Sequence, residues 1–335
     1  MIYTFLIKIL KRILTNSQKL KLEKFIKKFL APPVYMVQNF YLNLLGLQII
    51  RVCWINFLYK IKPFKSKISE QDQIYKELQE NGIIVIKNFF SNDDFKFIKD
   101  QIEKLEKGSD SELFSLSDPP QGSEVVWITG KIYNNFHKTQ QVYKIIDLNF
   151  KKYLPYIEKV LKKKINSSIT YNYQHLSLPK DKKDLNDSNA HWHVDRMFPC
   201  IKSFIALDDC LTLDKGPFNY LYKSHKFNFN RIKNEYYNST WWVKEKKKNP
   251  NKIIPQSFKY LTHTEEKPVF CEANSLIITN NMGFHKRGRL APENSRKLIR
   301  VLFYDFQLPF YKSVLKKYLA KKRDEEKQKK LQKAS

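Results

Sequence analysis

The sequence predicts a mainly β fold with flanking helices and a helical N-terminal extension. Short segments in which apolar and polar residues alternate dominate from residue 167 onward, a pattern typical of β-barrels and β-sandwiches. Longer segments with the helical spacing of apolar residues come before them. With 335 residues, of which 42% are hydrophobic and 14% aromatic, the chain has room for one large domain with extensions, or for two small domains.

Residues 1–67 are predicted to form a basic helical extension. Residues 1–30 space their apolar side chains as an amphipathic helix does, and Lys8 interrupts them too early for a cleaved signal peptide. Residues 34–50 carry no charge, but Gln and Asn dilute them below the roughly 20 apolar residues of a membrane-spanning helix. We expect this extension to pack on the main domain or on a partner subunit. The alternative is a peripheral anchor, through residues 1–60, that lies in an anionic membrane face.

A basic linker at residues 60–67 marks the boundary to a main domain at residues 68–310. Its elements follow from apolar periodicity and capping residues. In chain order we predict a helix over 75–80 that stops near Gly82, a strand over 83–86, a helix from Ser91 through Lys107, a strand over 124–129, helices over 142–148 and 152–161, and a strand over 168–175. Residues 226–265 are predicted to be an insertion that lies over the binding site as a lid, and residues 311–335 a charged helical tail.

The formal net charge of +28, from 61 Lys and Arg against 33 Asp and Glu, admits a nucleic acid or an anionic membrane as partner. Lys, Asn, Ile, Phe and Tyr are abundant throughout the chain, however, as in proteins encoded by AT-rich genomes. The charge therefore assigns no partner by itself. Because the sequence has no aromatic-basic reading motif and no base-flipping signature, we do not expect nucleic-acid binding.

Four cysteines, Cys53, Cys200, Cys210 and Cys271, are widely spaced and form no CxxC pair. This spacing argues against a zinc finger and against a small scaffold held by disulfides. It fits a reducing compartment, so we expect a cytoplasmic protein, with peripheral contact at the inner membrane face as the variant of that expectation.

The segment AHWHVDR at residues 190–196 carries the strongest chemical signal. In a β-strand, His193 and Asp195 project to the same side and present an imidazole nitrogen and a carboxylate oxygen to one point. They supply two ligands of a 2-His-1-carboxylate facial triad, which leaves open positions on Fe(II). The third ligand must come from elsewhere, and His285, at the end of a short apolar strand and a Gly-containing turn, is the candidate.

Several segments in the same order resemble the phytanoyl-CoA dioxygenase family of Fe(II)/2-oxoglutarate oxygenases. AHWHVDRMFPC resembles the WHxD segment of that family, and the Gly-Pro turn and SHK triplet within residues 204–226 resemble the segment that follows. His285 and Arg296 are similar in order and spacing to the distal His and the 2-oxoglutarate-binding Arg, and residues 75–105 to the opening helix, strand and long helix. The resemblance spans roughly residues 70–308.

This resemblance implies a double-stranded β-helix core, the jelly-roll or cupin-like fold. It also implies a dioxygenase in which His193, Asp195 and His285 bind Fe(II), and in which 2-oxoglutarate and O2 are consumed with release of succinate and CO2. Ascorbate would serve as reductant. Arg296 would pair bidentately with the far carboxylate of 2-oxoglutarate. Arg300, on the same strand face by the two-residue period, is the substitute.

Further residues are candidates for lining the pocket: His191, Trp192, His175 and Tyr173. His191 would share the metal-facing side of its strand, whereas core packing is an equal alternative for His175. Related halogenases replace the carboxylate ligand by a small residue, so Asp195 favours hydroxylation of a small-molecule, lipid or glycan substrate. Val194 departs from the Gln common in the family, which leaves open whether the substrate is an acyl-CoA.

Two other functions remain compatible with these residues. One is a jelly-roll binding or scaffold protein that retains the motif without turnover. The other is a non-redox metal-dependent hydrolase or isomerase that uses the same three ligands with another metal ion.

Overall fold

A computed structural model of the chain describes residues 39–107, 128–131, 136–165, 169–178, 180, 190–244 and 265–303. The predicted helix over residues 1–30, the charged tail at 311–335, the second part of the insertion and most of the predicted strand over 124–129 lie outside these described residues. Among the residues described, no helix has the length and apolar character needed to cross a bilayer.

In the described residues, helices predominate before residue 165 and strands after it. The helices are α1 (Phe40–Leu44), α2 (Leu47–Ile61), α3 (Gln73–Asn81), α4 (Asn92–Lys107), α5 (Phe136–Phe150), α6 (Leu154–Leu161) and α7 (Phe229–Lys244). The strands are β1 (Ile83–Ile86), β2 (Ile128–Lys131), β3 (Ile169–Ser177), β4 (Ile201–Ala206), β5 (Phe218–Tyr222), β6 (Glu265–Val269), β7 (Leu276–Asn280), β8 (His285–Arg287) and β9 (Ser295–Phe303).

Local sequence explains the first elements of the main domain. The side chain of Asp72 accepts hydrogen bonds from the backbone N–H groups of Ile74 and Tyr75 and so caps the start of α3. Gly82, with φ of 82°, ends α3 in the left-handed conformation that favours glycine. The four apolar residues Ile83–Ile86 then form β1, and α4 runs to Lys107. These predicted elements are confirmed.

Two antiparallel sheets form the body of the fold. The larger sheet has the order β1-β7-β4-β9-β3-β2, and the smaller has the order β6-β5-β8. Apolar residues from both sheets meet in one buried cluster, to which β4 contributes Ala206, β5 contributes Tyr220 and β7 contributes Ile277. The predicted fold class, a jelly-roll core with flanking helices, is confirmed by this strand order and packing.

The opposite face of the larger sheet is covered by helices. A single cluster joins buried residues of α3, α4, α5 and α6 to the alternate residues of β3, β4, β7 and β9; its sheet members include Tyr171, Ile205, Ile278, Ile299 and Val301. Each strand of the larger sheet therefore sends one set of side chains to the helices and the other set between the two sheets.

The described part of the N-terminal extension packs on the main domain. The ring of Tyr59 in α2 stacks on Phe198, with centroids 5.5 Å apart, and Asn56 Nδ2 donates to the carbonyl oxygen of Met197 at 3.1 Å. Asn43 Nδ2 in α1 donates to the carbonyl oxygen of Ser239 in α7 at 3.3 Å. Helix α2 thus packs against the segment that follows Asp195, and α1 packs against α7.

Candidate metal centre

The segment that carries His193 and Asp195 differs from the regular strand predicted for it. Within it, His193 forms an isolated antiparallel bridge with His285, in which each backbone N–H donates to the other residue's carbonyl oxygen at 3.0 Å. The N–H of Asp195 donates instead to the carbonyl oxygen of Asn281, in the turn after β7, at 3.0 Å. The segment therefore pairs with His285 and with the turn at Asn281 and does not form a continuous strand ladder. The side chains of His193 and Asp195 nevertheless point to the same place.

The structure brings His193, Asp195 and His285 together. One ligand atom from each of the three lies within 4.8 Å of the other two. His285 Nε2 is 3.7 Å from Asp195 Oδ2, and the rings of His193 and His285 have centroids 4.4 Å apart. Neighbouring ligands on one divalent ion are roughly 3 Å apart, given metal–ligand bonds of about 2.1 Å. The three side chains are close enough for one ion to draw them together.

Both imidazoles present the same nitrogen to the centre. His193 Nδ1–H donates to the carbonyl oxygen of His191 at 2.7 Å, and His285 Nδ1–H donates to the carbonyl oxygen of Gly283 at 3.0 Å. A carbonyl oxygen can only accept, so each Nδ1 must carry the proton and each Nε2 keeps its lone pair. Hydrogen bonds of this kind set the tautomer and orientation of metal-binding histidines.

Asp195 is held as a carboxylate by Lys202 of β4. Burial opposes its ionisation, but the Lys202 ammonium, 2.6 Å from Asp195 Oδ2, holds the pKa of the carboxyl well below its usual range. Asn281 Nδ2 donates to the same oxygen at 2.6 Å and also lies 3.1 Å from His285 Nε2. Lys202 therefore supplies, beside the carboxylate, positive charge of the kind that a bound cation would supply.

His285 is buried, and burial lowers its pKa to about 3 against the opposing attraction of Asp195. It is therefore neutral at physiological pH, which is the form that binds a metal ion. Phe218 stacks on its ring, with centroids 5.4 Å apart, and fixes the plane of the imidazole.

A network of hydrogen bonds holds the turn that leads from β7 to His285. Tyr220 Oη donates to the carbonyl oxygen of Asn280 at 2.8 Å, and Ser224 Oγ accepts from the N–H of Phe284 at 2.8 Å. Gly283 is required in this turn because a Cβ there would lie 2.0 Å from Tyr220 Oη, which is buried and cannot move away. These contacts hold the backbone of the turn and so fix the position of His285, which follows it directly.

Helix α7 supports the same turn from behind. Arg231 Nη1 donates to the carbonyl oxygens of Ser224 at 2.5 Å and Met282 at 3.1 Å, and its guanidinium lies 4.4 Å from the centroid of Phe284. Its Nε donates to Glu235 at 2.8 Å, and both side chains are almost completely buried. The described part of the predicted 226–265 insertion is thus a fixed buttress. The predicted role of residues 226–265 as a lid stays a prediction, since residues 245–264 lie outside the described residues.

Arg296 lies in the inter-sheet space, at one end of a cavity of about 50 Å³. The cavity lining includes Phe204, Phe218, Ile277 and Leu298, and Phe218 also stacks on His285. Arg296 Nη1 donates to the carbonyl oxygen of Gly216. Arg300 lies four residues after Arg296, on the same face of β9, and its backbone pairs with Phe204 of β4. Of the two arginines, Arg296 contributes to the cavity wall.

The remaining predicted pocket residues divide between two environments. Trp192 packs with Val194, Leu221 and Phe284, beneath the ammonium of Lys286, and His191 is exposed beside it. Tyr173 instead lies in the helix-covered core, and His175 shares its strand face by alternation. The pocket-lining role predicted for Tyr173 is therefore corrected, and the placement of His175 agrees with the core-packing alternative: this face of β3 packs against helices, and its other face points between the sheets.

Two residues of the centre, Lys202 and Asn281, were missed at the level of sequence. The alternation of β4 places Lys202 on the same side as Phe204 and Ala206, so an inward-facing lysine in an apolar strand was the available signal. Asn281 follows β7 and comes four residues before His285. In a turn of that length its side chain can reach the imidazole of His285.

The chain matches no protein-family model and no curated protein. It is similar to AviO1 from Streptomyces viridochromogenes Tue57, with 13% identity and a TM-score of 0.43 over 70% of this chain and 95% of that one. HygX from Streptomyces hygroscopicus, with nickel and 2-oxoglutarate bound, has 15% identity and a TM-score of 0.41 over 70% and 86%. EctD from S. alaskensis, with 2-oxoglutarate and 5-hydroxyectoine, has 10% identity and a TM-score of 0.46 over 72% and 79%. The fold assignment rests on the strand order, and the phytanoyl-CoA dioxygenase resemblance stays a prediction.

Proposed function

We propose that the protein is an Fe(II)- and 2-oxoglutarate-dependent dioxygenase. The observation that supports this most directly is the arrangement of His193, Asp195 and His285, whose ligand atoms face one another within 4.8 Å. Both histidines have Nδ1 bonded to backbone carbonyls, so that Nε2 is the nitrogen with a lone pair for a metal ion. Two imidazoles and one carboxylate are the ligand set of non-haem Fe(II) oxygenases.

The residues present fit such an ion. Asp195 is ionised, His285 is neutral, and the amide of Asn281 holds both in place. Asn281 Oδ1 is buried and accepts no hydrogen bond from the described residues, which leaves a further oxygen beside the centre. When bound, Fe(II) and 2-oxoglutarate activate O2 and release succinate and CO2, while the protein positions the reactants and excludes water.

Arg296 would bind the far carboxylate of 2-oxoglutarate. Its guanidinium stands at the cavity wall, and only a planar fork can pair bidentately with a carboxylate. At about 50 Å³ the cavity is smaller than the roughly 300 Å³ of ordinary ligand sites. Binding of 2-oxoglutarate would therefore replace the hydrogen bond between Arg296 and Gly216 by bonds to the carboxylate, and it would displace the Phe218 ring. Phe218 would then transmit occupancy of the cavity to the His285 imidazole.

Hydroxylation is the reaction we propose, with a small-molecule, lipid or glycan substrate. Asp195 occupies the position that must be small for a halide to bind, so the ligand set favours oxygen transfer. Ascorbate would act as reductant. A non-redox hydrolase or isomerase would use the same three ligands with zinc or another ion, and a scaffold protein would bind without turnover.

The test is anaerobic binding of Fe(II) and 2-oxoglutarate, followed by absorbance, in the wild type and in matched variants. His193→Ala should abolish metal-dependent absorbance. Arg296→Ala should keep the iron and weaken 2-oxoglutarate by about 10-fold to 100-fold, the value of hydrogen bonds to a charged group. His175→Ala, which removes a histidine from the helix-covered face, is the control and should change neither.

Turnover separates the alternatives. On admission of O2, the wild type should form succinate from 2-oxoglutarate in an iron-dependent manner. Binding without succinate would favour the scaffold protein. Tight zinc binding with no response to 2-oxoglutarate would favour the hydrolase. Loss of 2-oxoglutarate binding in Arg300→Ala, with Arg296→Ala unaffected, would transfer the cosubstrate role to Arg300.

A further inference from the structure

We propose that the outward side of helix α2 docks on an anionic lipid surface. The side concerned, called here the outer stripe, consists of Ile50, Trp54, Phe57 and Ile61. These residues are separated by four, three and four positions, the spacing that places side chains on one side of an α-helix.

Helix α2 is apolar on two opposite sides, and the described residues cover one of them. The inward side, with Val52, Ile55 and Tyr59, is buried against the main domain. The outer stripe is open to solvent, with exposures of 58% for Ile50, 42% for Trp54, 50% for Phe57 and 57% for Ile61. A surface helix normally turns polar residues outward, so a second apolar side indicates a second surface to cover.

The short helix α1 enlarges the apolar surface. Tyr41, Leu44 and Leu45 are exposed near the N-terminal end of α2, where the chain turns through Gly46. Within the outer stripe the rings of Trp54 and Phe57 stack with centroids 5.9 Å apart. Aromatic side chains of this kind are typical of protein surfaces that sit at the level of lipid headgroups.

Charge selects the lipid surface among the conceivable occupants. Residues 1–67 contain thirteen lysines and arginines and a single acidic residue, Glu23. Exposed Lys60, Lys65 and Lys67 lie at the C-terminal end of the outer stripe and just beyond it, where they would meet lipid headgroups. A second copy of this chain would bring an equally basic face against the first in a two-fold dimer, which like charges oppose. An anionic membrane offers apolar depth and negative charge together.

Docking in this orientation would bring the candidate metal centre close to the bilayer. The inward side of α2 contacts Met197 and Phe198, two and three residues after Asp195. One helix layer would separate the centre from the headgroups. This favours a substrate that is carried in or on the membrane, a consequence that rests on the proposed function, whereas the docking itself does not.

The test is co-sedimentation of the full chain with vesicles of phosphatidylcholine, with and without phosphatidylglycerol. The wild type should partition onto the anionic vesicles, and less so at high salt. Trp54→Gln combined with Phe57→Gln should lower the partition coefficient by about tenfold or more. Leu211→Gln combined with Leu213→Gln, which removes two equally exposed apolar residues from the loop after β4, is the matched control and should partition as the wild type does.

A second measurement does not depend on loss of binding. Brominated lipids should quench the tryptophan fluorescence of the bound wild type, and Trp54→Phe should remove most of that quenching while binding is retained. The proposal is overturned if the wild type does not partition, or if the outer-stripe variant partitions equally, which would assign lipid binding to another segment such as residues 1–38. It is also overturned if light scattering shows a dimer that the outer-stripe variant converts to a monomer. None of these outcomes involves iron or 2-oxoglutarate.

Discussion

The two faces of the larger sheet are built from the same strands, yet they have opposite characters. On the helix-covered face, Ile205, Ile278, Ile299 and Val301 are apolar and almost completely buried. The inner face of the same strands carries Lys202 beside the metal ligands, and Arg296 at the cavity. Successive residues of β4 and β9 point to opposite faces of the sheet. Neighbouring positions on these strands therefore belong to the helix-covered core and to the candidate site in turn.

Stability and chemistry are therefore separable in this fold. The helix-covered face contributes apolar burial, and its loss should cost folding free energy without touching metal binding. The inner face contains charged groups whose desolvation must be offset by partners, as Lys202 and Asn281 do for Asp195. Variants chosen from each face should therefore give opposite patterns in stability and metal affinity.

The largest effect on stability is expected at the buried ion pair behind the inner face. Arg231→Met would leave Glu235 buried without its cation and free the turn at Met282, so the free energy of unfolding should fall by about 3–5 kcal/mol. Urea denaturation measures this. The double change Arg231→Met with Glu235→Leu should recover most of the loss because no uncompensated charge remains. A double variant as unstable as the single one would show that the hydrogen bonds to the turn dominate.

Ile299→Ala tests the helix-covered face. The side chain is completely buried among α-helical and sheet residues, so its truncation should cost about 3 kcal/mol of unfolding free energy. Leu148→Ala, at an exposed position of α5, is the control and should stay within about 0.5 kcal/mol of the wild type. Metal affinity of the folded Ile299→Ala protein should equal that of the wild type. A large drop in that affinity would break the proposed separation of the two faces.

The inner face should respond to a metal ion. Co(II), a redox-stable probe, at about 100 times its dissociation constant should raise the free energy of unfolding by about 2.7 kcal/mol, since it binds the folded chain. His285→Ala should show no such increment, because one of the three ligands is gone. Thermal unfolding with and without Co(II) measures both. An unchanged increment in His285→Ala would place the ion elsewhere.

Sequence reasoning predicted much of this arrangement because alternation and capping are local properties. The end of α3 at Gly82, the strands β1 and β3, and the order of His193, Asp195 and His285 follow from short segments. The orientation of β3 does not, because both of its faces are buried: Tyr171 and Tyr173 meet helices, and Gln174 and Leu176 meet the interior. No local pattern distinguishes those faces, so Tyr173 was assigned to the wrong one and His175 was left with two alternatives.

Long-range contacts were equally beyond local reasoning. Lys202 is one of 61 basic residues in the chain, and only the packing of β4 against the turn at Asn281 reveals its contact with Asp195. The irregular backbone at Asp195 likewise depends on its bond to Asn281, far away in sequence. The predicted ligand set rested on strand alternation for His193 and Asp195 and on the family resemblance for His285; the three side chains meet although the backbone at Asp195 is irregular.

A pH-dependent effect is expected at a buried histidine that belongs to neither face. His225 Nε2–H donates to the carbonyl oxygen of Gln79 at 3.0 Å, and burial lowers the pKa of His225 to about 4. An unfolded histidine has a pKa of about 6.5. The unfolded chain therefore binds this proton first as the pH falls, so the contribution of neutral His225 is lost between about pH 6.5 and pH 4, on the order of 2 to 3 kcal/mol. His225→Gln keeps a donor for Gln79 and removes the titration. Because His285 is common to both proteins, the difference between their pH–stability curves isolates His225, and curves that stay parallel down to pH 4 would contradict this assignment.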